Sequence, residues 1–459
     1  MAKGTLEVRL PDGLKAPCLK LAEAIRAAGG RALLVGGSVR DALLGEAAED
    51  LDIEVFGLEP TELEKIIQAH YPYDAVGQSF GVLKLKGLAI DISIPRRESK
   101  QGLGHQGFLI AADPHLSFKA AAARRDFTIN AISWDPLTRE LIDPFDGQKD
   151  LCAKTLRHVG PQFREDPLRV LRAMQFLARF ELTIAEETLE ECRAITPEGL
   201  SKERLMGEWK KWVLQGKKPS LGLHFLKACG WLQYYPELAA LDGCPQDTEW
   251  HPEGDVFAHT AHCMDAYARE RIGDSWEDLV VGFAVLCHDL GKPATTAPDE
   301  NGRLRCFRHE IVGEGPTRSF LGKLTDEKAL VEAVVPLVHA HMRPRELYLT
   351  QASDAAIRRL AAKVERIDRL VRVAHADMSG RPPLTIGDFP EGKWLLHRAQ
   401  ELAVVAQKPT PIILGRHLIA LGLKPSPEFS KILKAGYEAQ LDGTFHDEAG
   451  GIAFCKTLL

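Results

Sequence analysis

Two aspartates one residue apart, Asp50 and Asp52, have the type and spacing that phosphoryl-transfer chemistry requires. A strand is predicted to begin there, and side chains two positions apart in a strand point to the same face. Two carboxylates on one face can share divalent metal, and their hard oxygens suit Mg²⁺. Asp91, in a second predicted strand over residues 89–94, would supply a third carboxylate. We therefore expect these three aspartates to form a two-magnesium catalytic site.

A glycine pair, Gly36 and Gly37, follows a predicted strand over residues 32–35 and precedes a predicted helix over residues 39–44. Glycines at a helix start let backbone N–H groups approach phosphates. The pair does not complete the Gly-x-Gly-x-x-Gly pattern, which excludes a Rossmann dinucleotide site. Taken alone, an Asp-x-Asp pair more often consists of solvated charges at a strand edge. The catalytic interpretation therefore depends on the motifs that follow.

Asp166 and Arg169 stand three residues apart at the start of a helical pattern and can act as a base-selecting pair. Cytosine and adenine both present an amino donor beside a ring-nitrogen acceptor, and uracil and guanine reverse that order. A fixed carboxylate acceptor beside a guanidinium donor would therefore select CTP and ATP without a template. The same residues also fit a plain helix start, with Asp166 as the cap before Pro167 and with Arg169 and Arg172 on a solvated face.

Four stretches in this part of the chain resemble the motifs of class II tRNA nucleotidyltransferases and bacterial poly(A) polymerases. They are LVGGSVRD (34–41) followed by DLD (50–52), RRDFTINA (124–131), DPFDGQKDL (143–151) and EDPLRVLRA (165–173). Four motifs in the family order are highly specific. The resemblance covers the first part of the chain. It favours the catalytic interpretation of the aspartates over the interpretation as solvated charges.

The resemblance implies roles for single residues. Gly37 and Arg40 would hold the triphosphate, and Arg125 would bind the nucleotide. The implied nucleotide-binding set is Gly36, Gly37, Arg40, Arg125, Asp126, Asp166, Arg169 and Arg172. The implied activity is the template-independent addition of C, C and A, from CTP and ATP, to the 3′ end of tRNA. Family members often have an arginine where Gln175 stands, so the resemblance assigns Gln175 no role.

A second constellation comprises His259, the adjacent pair His288 and Asp289, and Asp377, in the order of the HD phosphohydrolases, which this region resembles. Imidazole and carboxylate together bind divalent transition metals, so Ni²⁺, Mn²⁺ or Co²⁺, or else Mg²⁺, is expected there. Such an ion would generate hydroxide for phosphatase or 2′,3′-cyclic phosphodiesterase activity. A degenerate HD domain that is kept for packing is the alternative.

Three further histidines, His309, His339 and His341, lie between these ligands in the sequence. They would complete a second metal site or bind substrate phosphate. Histidines of this kind are more often polar surface residues. The surface interpretation is therefore favoured, and the three histidines are kept only as additional candidates.

Composition sets the broad class. A length of 459 residues predicts two to four domains, and 45% hydrophobic with 27% charged residues exclude disorder and fibrous repeats. Nine cysteines without a Cys-x-x-Cys pair indicate reduced thiols. The longest apolar run, 279–287, is too short to span a membrane, and no signal-peptide core is visible. We expect a cytoplasmic protein without a membrane partner, whose net charge of −6 confines any RNA contact to a local patch.

The predicted elements define the domains. In the amino-terminal part, strand patterns at 51–56 and 82–94, the latter broken at Gly87, alternate with helical patterns at 19–28 and 62–70. Later helical patterns are 167–180, 203–213, 221–228, 260–267 and 355–373. With the resemblance, this implies an α+β nucleotidyltransferase head of the polymerase-β type, an all-α neck, an HD domain and a helical tail. The boundaries, with turn-rich stretches at 242–254 and 380–387, are predicted as 1–151, 152–245, 246–385 and 386–459.

Basic residues suggest where tRNA would bind. Lys210 with Lys211, Lys217 with Lys218, and an arginine-rich helix over 358–372 would form a path for an RNA backbone, or else are solvated helix faces. The sequence favours neither.

Other functions stay open. A bacterial poly(A) polymerase shares the head motifs but usually lacks HD ligands. An enzyme that adds only A is harder to exclude, whereas a CC-only enzyme fits least, because segment 96–117 with Gly102, Gly104 and Gly107 resembles the flexible loop that such enzymes lack. An HD phosphodiesterase with an RNA-binding head is the alternative from another class. The sequence gives no oligomeric state.

Overall fold

The structure is a computed structural model that describes residues 10–46, 48, 50–76, 82–100, 108–384 and 388–459. The chain forms two compact units. One comprises Met1–Glu208 and Phe225–Trp231, and the other comprises Trp209–His224 and Leu232–Leu459. The four-domain boundaries predicted from the sequence are finer than this division and stay predictions. Among the described helices, none combines the length and the apolar character that crossing a membrane requires.

The first unit is built on a mixed β-sheet. Its strands are β1 (Arg31–Val35), β2 (Leu51–Phe56), β3 (Tyr73–Val76), β4 (Val82–Leu85), β5 (Ile90–Ser93), β6 (Arg96–Lys100), β7 (Phe108–Ala112), β8 (Ser133–Trp134), β9 (Leu141–Ile142), β10 (Thr155–Leu156) and β11 (Thr183–Ile184). In the described residues the main sheet has the order β3-β4-β5-β2-β1-β8-β9. Strand β2 runs antiparallel to β1 and parallel to β5. The two carboxylate-bearing strands are therefore neighbours.

Helices cover the sheet and continue beyond it. They are α1 (Asp12–Ala27), α2 (Gly37–Leu43), α3 (Pro60–His70), α4 (Phe118–Ala123), α5 (Gly147–Cys152), α6 (Leu168–Phe180), α7 (Glu186–Arg193), α8 (Lys202–Gln215) and α9 (Pro219–Ala228). Alternate residues of β1 point to opposite faces, as a strand requires. Leu34 packs in one core cluster with Leu21 of α1, whereas Leu33 and Val35 pack in another with Ala121 of α4. Burial on both faces fixes the register of β1, and with it the position of the glycine pair that follows.

The second unit is mostly helical. Its elements are α10 (Pro236–Ala239), α11 (Val256–Arg269), α12 (Ser275–Cys287), α13 (Lys292–Thr295), β12 (Thr296–Pro298), β13 (Leu304–Cys306), α14 (His309–Val312), α15 (Glu314–Leu324), α16 (Lys328–Ala340), α17 (Arg343–Leu349), α18 (Asp354–Val364), α19 (Ile367–Ser379), α20 (Pro390–Glu401), α21 (Gly415–Ala420), α22 (Pro427–Leu441) and α23 (Glu448–Lys456). Helices α11, α16 and α19 pack against α12. The apolar run of residues 279–287 is therefore a buried core helix, and the residues after its end lie among three other helices.

Two predicted elements differ from the structure. The single helix predicted over 355–373 is in fact α18 and α19, because Glu365 has a φ of +61° and ends the first helix. Segment 96–117 was predicted as a flexible loop, but β6 and β7 pair as an antiparallel ladder. The three glycines predicted to make it flexible, Gly102, Gly104 and Gly107, lie outside the described residues.

The arginines predicted to form an RNA path on α18 and α19 are largely paired with carboxylates. Arg369 donates from Nε and Nη2 to the two oxygens of Glu277, at 2.7 Å each, and both residues are buried. Arg366 Nη1 also donates to Glu277, at 3.0 Å, and Arg372 pairs with Asp278. These contacts favour a structural role for the arginines over contact with an RNA backbone.

Replacement of Arg369 by methionine is expected to lower the free energy of unfolding by about 3 kcal/mol, because it leaves the buried Glu277 charge without its bidentate partner. Urea unfolding followed by circular dichroism measures this change. Arg359→Met is the matched control on α18, since Arg359 and its partners Glu438 and Asp442 are exposed, and a loss of less than about 1 kcal/mol is expected. Equal losses in the two variants would contradict the structural assignment.

Candidate active sites

The three predicted catalytic aspartates lie together where the interior strands β2 and β5 of the head sheet begin, and we call this end of the two strands the carboxylate edge. Asp52 on β2 is the register partner of Asp91 on β5, and Asp50 directly precedes β2. Desolvation of its carboxyl group, followed by the negative charge of Asp50, raises the pKa of Asp52, and Asp91 acts in the same direction. Carboxylates that repel one another in this way are the donors that a divalent cation brings together. The site therefore fits a divalent metal.

The backbone of Gly36 lies against this carboxylate edge. Its φ is +73°, a conformation that favours glycine, and a Cβ placed there would lie 3.2 Å from Arg125 Nη1 and 3.6 Å from Asp52 Oδ2. Gly37 begins helix α2, so the backbone N–H groups of the first turn face away from the helix body. The structure thus brings Gly36, Asp52 and Arg125 close together.

Other predicted nucleotide-binding residues form a buried hydrogen-bond network. Arg40 Nη1 donates to Asn130 Oδ1 at 2.6 Å, and Asn130 Nδ2 donates to Asp126 Oδ1 at 2.9 Å. Asp126 Oδ2 accepts from Arg172 Nε at 2.7 Å. Although burial alone would raise the pKa of Asp126, the charge of Arg172 and these hydrogen bonds lower it. Asp126 is satisfied within the protein, and the network fixes the positions of Arg40 and Arg172.

Asp166 and Arg169 lie at the start of α6, where each has protein partners. Asp166 Oδ1 accepts from the backbone N–H of Leu168 at 3.1 Å, and its Oδ2 accepts from Arg204 Nη2 at 2.8 Å. Arg169 donates to two backbone carbonyls, those of Gln162 at 2.7 Å and Arg124 at 2.6 Å. The cap-like hydrogen bond expected of a plain helix start is therefore present. Together these four hydrogen bonds hold Asp166 and Arg169 in fixed orientations, which the recognition of a base also requires.

Two residues near this site were missed by the sequence analysis. Lys84 Nζ lies 2.7 Å from Asp91 Oδ2, because β4 and β5 form a hairpin that opposes the two residues. The turn at Gly87 was visible in the sequence and would have given this register. Arg204, which holds Asp166, is 38 positions away on α8, and no local pattern connects the two. Gln175 is buried in α6, and its side-chain oxygen has no hydrogen-bond partner among the described residues.

The second predicted site lies at the end of the buried helix α12. We call the histidine-aspartate cluster the set of His259, His288, Asp289, His309, His341 and Asp377. His259 Nε2 lies 3.1 Å from Asp377 Oδ1, and His288 Nε2 lies 3.1 Å from Asp289 Oδ2. Asp289 Oδ2 is 3.7 Å from His259 Nε2. The four residues predicted from the HD resemblance are therefore brought together, and all are buried.

The hydrogen bonds of the cluster histidines define which ring nitrogen is free. The Nδ1 atoms of His288, His309 and His341 each lie 2.7–2.8 Å from a backbone carbonyl three residues earlier. His259 Nδ1 lies 2.8 Å from Glu253 Oε1. An Nδ1–H that donates to a carbonyl or carboxylate leaves Nε2 as the free lone pair, which is the arrangement found in metal-binding histidines. The donor set therefore fits a divalent transition metal.

Of the three additional histidines, two belong to this cluster and one does not. His309 Nε2 lies 3.3 Å from Asp289 Oδ1 and 3.2 Å from His341 Nε2. Both histidines are buried, so their expected place on the surface was wrong. Burial, followed by the charges of the neighbouring histidines, lowers the pKa of His341 to about 3, which keeps the ring neutral. His339 points elsewhere and pairs with Glu314.

Charged residues around the cluster complete its electrostatics. Lys292 Nζ lies 2.7 Å from Asp289 Oδ2, and Arg381 Nη2 lies 2.9 Å from Asp377 Oδ1. Although burial opposes it, hydrogen bonds from His251 and His259 lower the pKa of Glu253 to about 2. Glu253 thus stays ionised and orients His259. It was missed because no periodic pattern marks a carboxylate six positions before a ligand.

The arrangement of the head sheet, its three aspartates and the adjacent glycine defines a nucleotidyltransferase. Residues 32–157 match the family model described as the poly A polymerase head domain. The multifunctional CCA protein of Stenotrophomonas maltophilia strain K279a is 38% identical over 387 residues, which cover 80% of this chain and 90% of that protein. The multifunctional CCA protein of Xylella fastidiosa strain 9a5c is 36% identical and covers 82% and 91%. The chain belongs to the family of multifunctional CCA proteins.

Solved structures agree with the fold. The Bacillus stearothermophilus CCA-adding enzyme in complex with CTP has a TM-score of 0.67 at 23% identity, covering 98% of each chain. The Thermotoga maritima CCA-adding enzyme complexed with tRNA has a TM-score of 0.58 at 20% identity, covering 99% of this chain and 97% of that one. The predicted resemblance and the predicted fold class are therefore confirmed.

Proposed function

We propose that this protein adds C, C and A, from CTP and ATP, to the 3′ end of tRNA without a nucleic-acid template. The observation that carries this function is the carboxylate edge of Asp50, Asp52 and Asp91 beside Gly36 and Arg125, in a chain of the multifunctional CCA protein family. Such an edge suits the transfer of a nucleotide from its triphosphate to a hydroxyl group.

Each group at the head site has a defined task in this proposal. The 3′ oxygen of tRNA attacks the α-phosphorus, the bond to the β-phosphate breaks, and pyrophosphate leaves. Magnesium held by the aspartates would activate the 3′ hydroxyl and neutralise the leaving phosphates. Backbone N–H groups at Gly36 and Gly37 and the guanidinium of Arg125 bind the triphosphate. Arg40 and Arg172 are held in fixed positions by Asn130 and Asp126, respectively.

Incubation with three tRNA substrates tests the function. Purified protein with magnesium is given tRNA that ends before the first C, after CC and after CCA, each with labelled CTP or ATP. We expect CTP to enter the first substrate, ATP the second, and neither the third. If only ATP is incorporated, the enzyme adds A alone and is not a CCA-adding enzyme. Repeated incorporation of ATP would indicate a poly(A) polymerase.

Selection of the base is proposed to depend on Asp166 and Arg169. Alanine at either position is expected to reduce the preference for CTP and ATP over UTP and GTP by about 10- to 100-fold, because base-edge contacts carry the discrimination. The ratio of kcat/KM values for the four nucleotides measures this preference. Arg164→Ala is the control, since Arg164 pairs with Glu191 on the surface. Unchanged selectivity with a higher KM for all nucleotides would exclude Asp166 and Arg169 as base readers.

A second function is supported by the convergence of histidine Nε2 atoms and aspartate carboxylates in the histidine-aspartate cluster. We propose that this site hydrolyses phosphoesters, as a phosphatase or a 2′,3′-cyclic phosphodiesterase. Water adds to phosphorus, one phosphorus–oxygen bond breaks, and the released oxygen takes a proton. A divalent metal such as Ni²⁺, Mn²⁺, Co²⁺ or Mg²⁺, held by His259, His288, Asp289 and Asp377, would supply the hydroxide. Lys292 is placed to balance the charge of Asp289.

The carboxylate of Asp289 faces two groups of histidines. Its Oδ2 is 3.1 Å from His288 Nε2, and its Oδ1 is 3.3 Å from His309 Nε2. His309 and His341 therefore extend the donor set on the far side of Asp289. This arrangement favours a cluster with places for two ions, as the additional histidines suggested. Metal analysis of the purified protein would measure the number of ions bound.

A further inference from the structure

The pocket that opens onto the histidine-aspartate cluster is larger than a phosphate group requires. Its volume is about 450 Å³, within the range of pockets that enclose whole small molecules. Asp289, His309 and His341 line it and are buried, whereas Trp250 and Arg345 line it and are exposed. The pocket thus runs from the cluster to an exposed rim that carries an aromatic ring and a cation.

The rim of the pocket is connected to the cluster by a short stretch of helical backbone. His341 and Met342 have helical backbone angles that lead directly into α17, so Arg345 follows His341 by about 6 Å along a helix. The guanidinium carbon of Arg345 lies 5.5 Å from the ring centre of Trp250. The ring and the cation therefore form one unit at the rim of the pocket.

The loop that carries Trp250 is held in place by ion pairs and turn hydrogen bonds. The Trp250 backbone N–H donates to the carbonyl of Asp247 at 3.1 Å. Asp247 Oδ1 accepts from the backbone N–H of Glu249, and its Oδ2 accepts from Arg303 Nε at 3.0 Å. A ring on such a loop loses little freedom when a second ring stacks on it, and a fixed platform favours binding.

Arg345 is suited to the same ligand. Within the described part of the chain it makes no ion pair with a carboxylate, whereas Lys292, Arg303 and Arg381 in the same pocket do. A guanidinium beside an indole offers a second planar surface and a donor set for a base or a phosphate. One exposed tryptophan on its own would be ordinary. The informative feature is the combination of ring, free cation and pocket.

We propose that Trp250 and Arg345 bind the nucleobase of the phosphoester substrate whose phosphate lies at the histidine-aspartate cluster. This assignment rests on the hydrolase activity proposed above. Base stacking on an aromatic ring is tolerant of sequence, so all four bases are accommodated.

Two cyclic phosphodiesters test the proposal, adenosine 2′,3′-cyclic phosphate and glycerol 1,2-cyclic phosphate, which lacks a base. With manganese-loaded protein, Trp250→Ala is expected to raise the KM for hydrolysis of the adenosine substrate about tenfold. Hydrolysis of the glycerol substrate should be unchanged. Trp250→Phe should retain most of the binding, and Arg345→Met should raise the KM for the adenosine substrate about threefold.

Leu349→Ala is the matched control, because Leu349 is exposed on α17 but does not line the pocket. It should leave both substrates unaffected. If Trp250→Ala impairs the two substrates equally, Trp250 has a structural role and the proposal is wrong. If it impairs neither, the base does not stack there, and the proposal is also wrong.

A binding measurement distinguishes failure of the base-binding proposal from failure of the proposed hydrolase activity. Calorimetry with adenosine 2′-monophosphate on the wild type and on Trp250→Ala, which have the same head site, reports base binding at Trp250 by the difference between the two, whether or not any phosphoester is hydrolysed. Tenfold weaker binding to Trp250→Ala than to the wild type supports the base platform even when hydrolysis is absent. Equal binding to both, or no binding to the wild type, overturns it.

Discussion

Replacement of Asp52 by asparagine is expected to lower the rate of nucleotide addition by about a thousandfold or more, while tRNA binding is retained. Asparagine keeps the shape of the side chain but removes the charge that holds divalent metal against the triphosphate, a contribution of about 4 kcal/mol. Incorporation of labelled CTP into tRNA lacking CCA measures the rate, and a gel-shift titration measures tRNA binding.

The matched control is Asp74→Asn on β3 of the same sheet. Asp74 pairs with Lys86 and is largely exposed, so its replacement removes one negative charge without touching the carboxylate edge. This variant should add nucleotides at the wild-type rate. If the Asp52 variant adds nucleotides at the wild-type rate, the carboxylate edge is not required for catalysis. A parallel loss of tRNA binding would show that the replacement disturbs the fold of the head.

The head was predictable where local pattern and chemistry coincide. The apolar runs at β1 and β2, with glycines and aspartates at their ends, fixed both strands and the carboxylate pair, since a strand places alternate residues on one face. The break between α18 and α19 was not predictable in this way. The helical spacing of Leu360, Val364 and Ile367 continues past Glu365, and no glycine or proline marks the positive φ of Glu365.

The residues of the two sites show the same difference between what local pattern predicts and what depends on tertiary packing. Asp91 was found because it stands in a short run whose apolar pattern predicts a strand, whereas the placement of His309 and His341 depends on how α14 packs on α16 and α16 on α12. Whether a histidine is a surface residue or a ligand is decided by that tertiary packing, which single-sequence periodicity does not contain. Glu253 and Arg204 were missed for the same reason. Glu253 acts by orienting His259, and Arg204 acts by holding Asp166.

Replacement of Asp289 by alanine is expected to reduce phosphoester hydrolysis by at least about a hundredfold and to remove bound transition metal. Among the described residues, Asp289 is the one carboxylate with oxygens close to both His288 and His309, so its loss removes the ligand that these two imidazoles share. Hydrolysis of 2′,3′-cyclic phosphates by protein loaded with manganese, nickel or cobalt measures the activity, and atomic absorption measures the metal.

His339→Ala is the control for this experiment, because His339 lies on α16, near His341 in sequence, but pairs with Glu314 outside the cluster. It should keep both metal and hydrolysis. The Asp289 variant should still add CCA, just as the Asp52 variant should still hydrolyse phosphoesters, because each carboxylate belongs to a separate constellation of residues. Wild-type protein that neither binds metal at this cluster nor hydrolyses any phosphoester would leave the cluster as part of a structural or RNA-docking region.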